Sequence, residues 1–469
     1  MRGKTQPGTT RTGRAPAPAV GDHNGRVPVA PVQESEESRA RRLLAWLGAG
    51  LLAGGMPVHE VQEDVHEAAE ALGYPGAQVG CSPTGIILTL ASGQPSTVEQ
   101  VEGGLRLDQL AEVSAVHAGL RTRTLTAQEA LARLGTLRAQ PHRYALAGLV
   151  GGGVASGVGI ALVLAPTWPS VIFAAALAPV TMLLLVAAGS HNLVRTLLPF
   201  FAAFAVGAAA FWAAEQGLVP APLWTLVAPI AVLLPGAIIV TGLTELAAGA
   251  MMAGTARLAH GTAQMLLFAL GVGAAAVLLQ VPLDLLDPVR PVALGWWAPL
   301  LGVVVVTVAI SLMESVPIAL APWLLLTVLA TYLAQAAGVA LAGSLWAGAF
   351  LGAAAASLVA TVVEFLRPQL PRVVAFLPSF WLLVPGSLGL ISVTRIESSP
   401  DTVLGAIGEV TVIVLCIALG IVVGASLARP LRAVARRLGL LPLLRLLQSG
   451  RRGGTARQGS TANRQAPPG

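Results

Sequence analysis

Residues 144–428 make up 285 positions with only six arginines and nine acids among them, in a chain of 469 residues. That run limits what the chain can become more than any motif does. A hydrocarbon core roughly 30 Å thick asks for about 20 apolar residues per crossing helix. Ten segments come close, near 145–164, 171–188, 197–214, 222–243, 262–281, 296–313, 317–336, 339–361, 374–394 and 403–427. Charged residues are 11% of the chain, against roughly 25% in an ordinary soluble domain. The expected class is a mainly α-helical polytopic membrane protein with about ten transmembrane helices.

The remaining charge is gathered at the two ends. Residues 1–143 hold 14 basic and 14 acidic side chains, while 429–469 hold nine arginines and no acid. The formal +6 therefore lies in a basic cytoplasmic tail, which suits anionic headgroups rather than a nucleic-acid groove. Cys81 and Cys416 fall in a soluble region and an apolar span, so neither a disulfide framework nor a Cys-based zinc site is expected. No cofactor and no metal is expected either. Residues 1–37 are rich in Pro, Gly, Thr and Arg without an apolar h-region, which reads as a disordered leader rather than a signal peptide.

Residues 38–143 read as a small cytosolic α/β domain. Val58, Val61, Val65, Ala68, Ala69 and Leu72 follow helical spacing, with acids on the other faces, and Gly73 stops the run. Runs at 77–81 and 85–90 are β-prone, with Ser82-Pro83-Thr84 as a hairpin turn. Helices are expected near 106–118 and 127–138, the second opened by Thr126 with Glu129 as a capping box.

Leu234-Pro235-Gly236 lies inside the fourth span, and Val384-Pro385-Gly386 inside the ninth, 150 residues later. The same offset maps spans one to three onto six to eight. Five spans per half force opposite orientations, so 144–281 and 295–428 read as an inverted five-plus-five repeat of the kind secondary transporters use. With both termini cytoplasmic, Arg195, Arg257, Arg367 and Arg372 fall in inner loops, and Glu215, Asp284 and Asp287 fall outside. Arg290 and Arg395 break that pattern.

Proline removes a backbone donor and glycine weakens helix propagation, so Pro235-Gly236 and Pro385-Gly386 should interrupt their spans mid-membrane. An interruption there is tolerated only inside protein or along a wet cavity, and the new helix start can face a ligand carboxylate. The competing reading is a packing kink. Glu409 is the one ionisable residue well inside a span, a candidate for proton coupling or ammonium binding, with a structural hydrogen bond as the alternative. Glu245 and Arg395 stand nine residues after each repeat's glycine. They read either as gates holding a zwitterion or as interfacial side chains that snorkel. Glu314, Glu364, His191 and His260 read as solvated loop neighbours. His59, Glu63 and His66 share a helix face, which the surrounding acids mark as solvated rather than metal-ligating. No GxxxxGK[ST] occurs in the chain, so an ATP-driven pump is unsupported.

Ordered motifs then give a resemblance. Gly54-Gly55-Met56-Pro57-Val58-His59-Glu60-Val61, Pro83-Thr84-Gly85-Ile86-Ile87 and Leu125-Thr126-Ala127-Gln128-Glu129-Ala130 come first. Leu234-Pro235-Gly236, Gly242-Leu243-Thr244-Glu245-Leu246 and Gly254-Thr255-Ala256-Arg257-Leu258 follow, and then Leu377-Pro378-Ser379-Phe380-Trp381-Leu382-Leu383-Val384-Pro385-Gly386. Over about residues 38–428 the chain resembles the threonine/serine exporter family of bacterial inner-membrane carriers. The resemblance implies proton-driven export of threonine and serine from the cytoplasm. Some relatives carry Asn and Arg-Asp where this chain has Thr241 and Thr244-Glu245. The expected function is a secondary active exporter of small hydrophilic amino acids. An organic-acid or dicarboxylate exporter is the alternative, and a membrane-bound hydrolase using His59, Glu63 or Ser82 comes after it. The substrate-binding or coupling candidates are Pro235, Gly236, Thr241, Glu245, Pro385, Gly386, Arg395 and Glu409.

Overall fold

The computed structural model describes residues 35–189, 192–282, 285, 292–366, 370, 372–383 and 400–437. It opens with an α/β unit. Helix α1 (Glu36–Ala53) begins at Ser35, whose hydroxyl accepts the Ser38 N–H at 3.1 Å. Leu43, Leu44, Leu47 and Leu51 of α1 are all closed off from solvent, because the other elements of the unit pack around it. Helix α2 (Val58–Ala71) buries Val61, Val65 and Ala68 against that centre. Strands β1 (Gln78–Ser82) and β2 (Gly85–Thr89) pair antiparallel with Ser82 opposite Gly85, which leaves Pro83-Thr84 as a two-residue turn. Strand β3 (Thr97–Gln100) completes a three-stranded antiparallel sheet. Its approach requires glycine at Gly85, where a Cβ would stand 2.8 Å from the Glu99 carbonyl oxygen. Helices α3 (Leu107–Arg121) and α4 (Ala127–Thr136) close the unit, α4 with the Thr126–Glu129 capping box in place.

The apolar part follows as α5 (Ala145–Leu164), α6 (Trp168–Ala188), α7 (Asn192–Glu215), α8 (Pro222–Ile230), α9 (Gly236–Ala247) and α10 (Met251–Leu278). It continues with α11 (Trp297–Met313), α12 (Ala321–Ala342), α13 (Leu345–Leu366), the short α14 (Arg372–Phe376) and α15 (Phe380–Leu383), and α16 (Pro400–Arg437). Among the described residues, seven helices are long and apolar enough to cross a membrane, or eight if α8 and α9 form one broken span. Large apolar side chains face outward along them, Ile172, Leu183, Leu270, Val277 and Leu419 included. Only a hydrocarbon solvent suits such a surface.

Glycine-to-backbone contacts hold the helices together and repeat between the halves. A Cβ on Gly152 of α5 would stand 2.8 Å from the Ala309 carbonyl oxygen of α11, and one on Gly302 of α11 would stand 2.7 Å from the Gly159 carbonyl oxygen of α5. Adding 150 to 152 and subtracting it from 309 turns the first contact into the second. The residue numbers run in opposite senses, so α5 and α11 pack antiparallel. The pairs α7/α10 and α13/α16 also correspond, at an offset of 150 from α7 to α13 and of 149 between the two glycines. A Cβ on Gly271 would run into the Phe200 carbonyl oxygen and lie 3.0 Å from the Ala203 Cβ. One on Gly420 would meet the Phe350 carbonyl oxygen and lie 3.0 Å from the Ala353 Cβ.

Two boundaries differ from the sequence expectation. The expected gap between spans 317–336 and 339–361 lies inside α12, where a Cβ on Gly338 would stand 2.8 Å from the Ala347 carbonyl oxygen of α13. Gly343, at φ +65°, ends α12 instead. Helix α10 begins at Met251 rather than near 262, so Arg257 and His260 belong to a helix and not to a loop.

Candidate functional site

The α8–α9 segment bends by 68° at its break. Pro229 and a 3-10 turn at Ala231–Leu233 slow the first half-helix. Leu234, ahead of a proline, is pushed to an extended ψ of 133°. Pro235 then stands at the N-cap of α9, and the first intrahelical bond runs from the Ile239 N–H to the Pro235 carbonyl at 3.1 Å. The N–H groups of Gly236, Ala237 and Ile238 precede that bond and sit at the positive end of the helix. Both Pro235 and Gly236 are buried, so the break lies inside the protein.

Thr241 follows on α9, half-buried, its carbonyl accepting the Thr244 hydroxyl at 2.8 Å. Gly242 and Gly254 bring α9 and α10 into backbone contact, since a Cβ on either would stand under 3.0 Å from the other's carbonyl oxygen. That crossing sets Glu245 beside Arg257. Glu245 is fully buried, and its Oε1 accepts the Arg257 Nε–H at 3.2 Å and the Val58 N–H at 2.9 Å. Its Oε2 lies 3.1 Å from the same Nε but off the hydrogen-bond line. Arg257 also donates to the Met56 carbonyl at 3.4 Å. The Met56-Pro57-Val58 turn of the α/β unit thus rests on an ion pair at the α9–α10 corner.

Pro385, Gly386 and Arg395 lie outside the described residues. Glu409 falls on α16, but its side chain lies outside the described ones. The structure therefore brings Pro235, Gly236, Thr241 and Glu245 onto one half-helix.

Two acids expected to be solvated are engaged instead. Glu314, at the C-cap of α11, accepts the Leu107 N–H of α3 at 3.2 Å, and burial pushes its carboxyl above the usual range. Glu364 of α13 accepts the Arg372 N–H at 3.1 Å. Arg372 reaches Glu60 of α2 at 3.4 Å and donates to the Ser357 hydroxyl at 3.3 Å. Sequence reading missed these roles because each partner belongs to another element, far along the chain for Glu314 and just past the end of α13 for Glu364. Beside this group, burial pushes the Asp64 carboxyl up to about 7, helped by Glu60, Glu67, Glu364 and Glu63. No cluster of three or more His, Cys, Asp or Glu side chains suited to a metal occurs among the described residues.

Among the described residues, these hydrogen bonds and ion pairs between the membrane part and the α/β unit lie on one side. Glu245, Arg257, Glu314 and Arg372 stand at helix ends that the up-and-down order of the chain places together. The bonds of His142, Arg143 and Tyr144 to Met313, Ser315 and Val316 lie there too. The opposite end is marked by the Leu294 N–H donating to the Pro166 carbonyl at 2.8 Å and by Trp168 against Trp297.

An apolar helical bundle with a broken, buried span and a polar unit on one face defines a multi-pass membrane protein. The family model described as "Putative threonine/serine exporter" matches residues 42–279, which is 238 of the 469 residues. The chain belongs to the threonine/serine exporter family. The match runs from α1 to the end of α10 and so takes in the α/β unit and the first half; the motif at 377–386 lies beyond it. No curated protein and no solved structure matches the chain.

Proposed function

We propose that this protein is a secondary active exporter that moves threonine and serine out of the cytoplasm, driven by proton entry. The observation that carries the reading is the α8–α9 break at Leu234–Pro235, bent by 68° and buried in protein. A half-helix start at that depth can receive an amino acid's carboxylate without a fixed cation, and inverted-repeat carriers bind cargo in this way. The exchange of the Gly152–Ala309 and Gly302–Gly159 contacts supports two inverted halves of five spans each. Pro385, Gly386 and Arg395 would give the second half its own break and gate. Thr241 and Glu245 would face cargo or its path, and Glu409 would carry the coupling proton.

The α/β unit and both termini would lie in the cytoplasm of a bacterial cell, with the protein in the inner membrane. The test is efflux from cells loaded with threonine- and serine-containing dipeptides, with and without the protein. Faster threonine and serine efflux supports the reading. Unchanged amino-acid efflux beside faster loss of an organic acid replaces the cargo with a dicarboxylate or related acid.

A further inference from the structure

The first turn of α2 holds both halves of the membrane part at once. Its Val58 N–H is bonded to Glu245 on α9, in the first half. Two residues on, Glu60 is paired with Arg372 on α14, in the second half. Neighbouring bonds reinforce each side. Arg257 of α10 donates to the Met56 carbonyl. The Glu364 carboxylate accepts the Arg372 N–H, and the Ser357 hydroxyl takes the Arg372 guanidinium.

A single helical turn cannot stretch, because its backbone bonds fix Val58 and Glu60 relative to each other. Carriers built of two inverted halves open one face by moving the halves apart there. The unit is also bonded to the α11 end through Leu107, His142, Arg143 and Tyr144. The rigid first turn of α2, however, joins α9 to α14, so moving the α9–α10 corner away from α14 must break one of its two attachments. The two differ in strength. Glu245 is fully buried and Arg257 only 13% exposed, whereas Glu60 and Arg372 are 29% and 22% exposed. Water can replace the second pair at modest cost, since a part-exposed ion pair contributes little. Breaking the first would strand a buried charge.

We propose that α2 is a staple across the cytoplasmic face of the carrier, and that opening of the Glu60–Arg372 contact is an obligatory step that admits cargo from the cytosol. The proposal rests on the carrier reading, and its test separates the two. The protein carries Glu60→Cys and Arg372→Cys in a Cys81→Ser, Cys416→Ala background and is oxidised in proteoliposomes to form a disulfide. Threonine transport is one readout. The other needs no cargo: Thr241→Cys, four residues before Glu245, is added and labelled by an impermeant maleimide from the cytoplasmic side after oxidation.

Locking the staple should slow labelling and transport by about tenfold or more, the scale of a modest coupling between sites. Reducing agent should restore both. Glu60→Gln, without cysteines at the staple, should speed labelling of Thr241→Cys. Equal labelling of the locked and reduced protein overturns the staple, and so does failure of the two cysteines to be joined both by oxidation and by a reducible bis-methanethiosulfonate long enough to cover the span of the Glu60 and Arg372 side chains. Lock-sensitive labelling without any threonine or serine transport upholds the staple and overturns the cargo.

Discussion

Val58 and Glu245, 187 positions apart, share a hydrogen bond of 2.9 Å in which the first amide of α2 donates to a fully buried carboxylate. Helix α2 has Pro57 at its N-cap, with no side-chain oxygen to take up its free amides. The acid from α9 fills that role and places a negative charge at the positive end of the helix. The motif around Met56-Pro57-Val58 and the one around Thr244-Glu245 are therefore two sides of one joint.

Replacing Glu245 measures that joint. Glu245→Ala leaves Arg257 buried without its counter-charge and should cost roughly 3–5 kcal/mol, as broken buried pairs do. Glu245→Gln keeps an oxygen for the Val58 N–H and should cost less. Thermal unfolding in detergent reads both, and a Glu245→Gln midpoint equal to that of the native protein would show that the charge contributes nothing.

The repeated glycine contacts give a matched pair of substitutions. Gly271→Ala and Gly420→Ala should each cost about 1–3 kcal/mol, because the added methyl meets a carbonyl that cannot turn away. Gly273→Ala is the control, since a Cβ there has nothing within 4 Å. Unfolding midpoints that fall for Gly271→Ala but not for Gly420→Ala would break the equivalence of the two helix pairs.

Asp64 should make the α/β unit less stable in alkaline solution. Its carboxyl moves from an ordinary 3.8 to about 7 on folding, so the folded state takes up a proton between those values. The stabilisation is complete below 3.8 and is lost as pH rises through 7. The groups around it are Glu60, Glu63 and Glu67 on α2, Glu364 on α13 and His117 on α3, with Arg121 paired to Glu67. Between pH 5 and 8 the unfolding midpoint of the native protein should fall by several degrees more than that of Asp64→Asn. Parallel curves would remove Asp64 as the cause.

Glu409→Gln mimics a carboxyl that cannot release its proton. It should abolish efflux driven by the proton gradient while leaving cargo exchange in place, because exchange needs no net proton movement. Ordinary gradient-driven efflux from well-expressed Glu409→Gln would make the residue structural. Transport assays in vesicles with and without an imposed gradient distinguish the two.

Reporter fusions fix the topology. Residue 60 and residue 450 should both report as cytoplasmic, and the 282–294 connector as external. Termini on opposite sides would undo the inverted arrangement.

What could be read from the sequence was whatever depends on neighbours in the chain. Long apolar runs gave the helical membrane class. Pro235 announced the broken span, because a missing N–H and a displaced preceding residue act locally. The capping box at Thr126 and the β1–β2 turn are equally local. Helix α1 escaped notice because Ala45, Gly48, Ala49 and Leu52 are buried as well as Leu43, Leu44, Leu47 and Leu51, which leaves little period to detect. The boundary between α12 and α13 was placed between 336 and 339 because the apolar run hardly changes there, and the left-handed backbone of Gly343 that ends α12 leaves no mark in composition. Glu314 and Glu364 were misread as solvated since their partners, Leu107 and Arg372, come from other elements.

The bonds between the α/β unit and the membrane part also set a timetable for biosynthesis. A chain made from its N-terminus at roughly 5–20 residues per second has α2 complete long before its partners exist. Glu245 follows Val58 by 187 residues, Glu314 follows Leu107 by 207, and Arg372 follows Glu60 by 312. At that pace α2 and α3 wait roughly 10–40 seconds with bare N-terminal amides, and the Glu60–Arg372 pair closes last. A ribosome stalled between residues 245 and 314 would expose a half-anchored unit, with α2 docked and α3 still free.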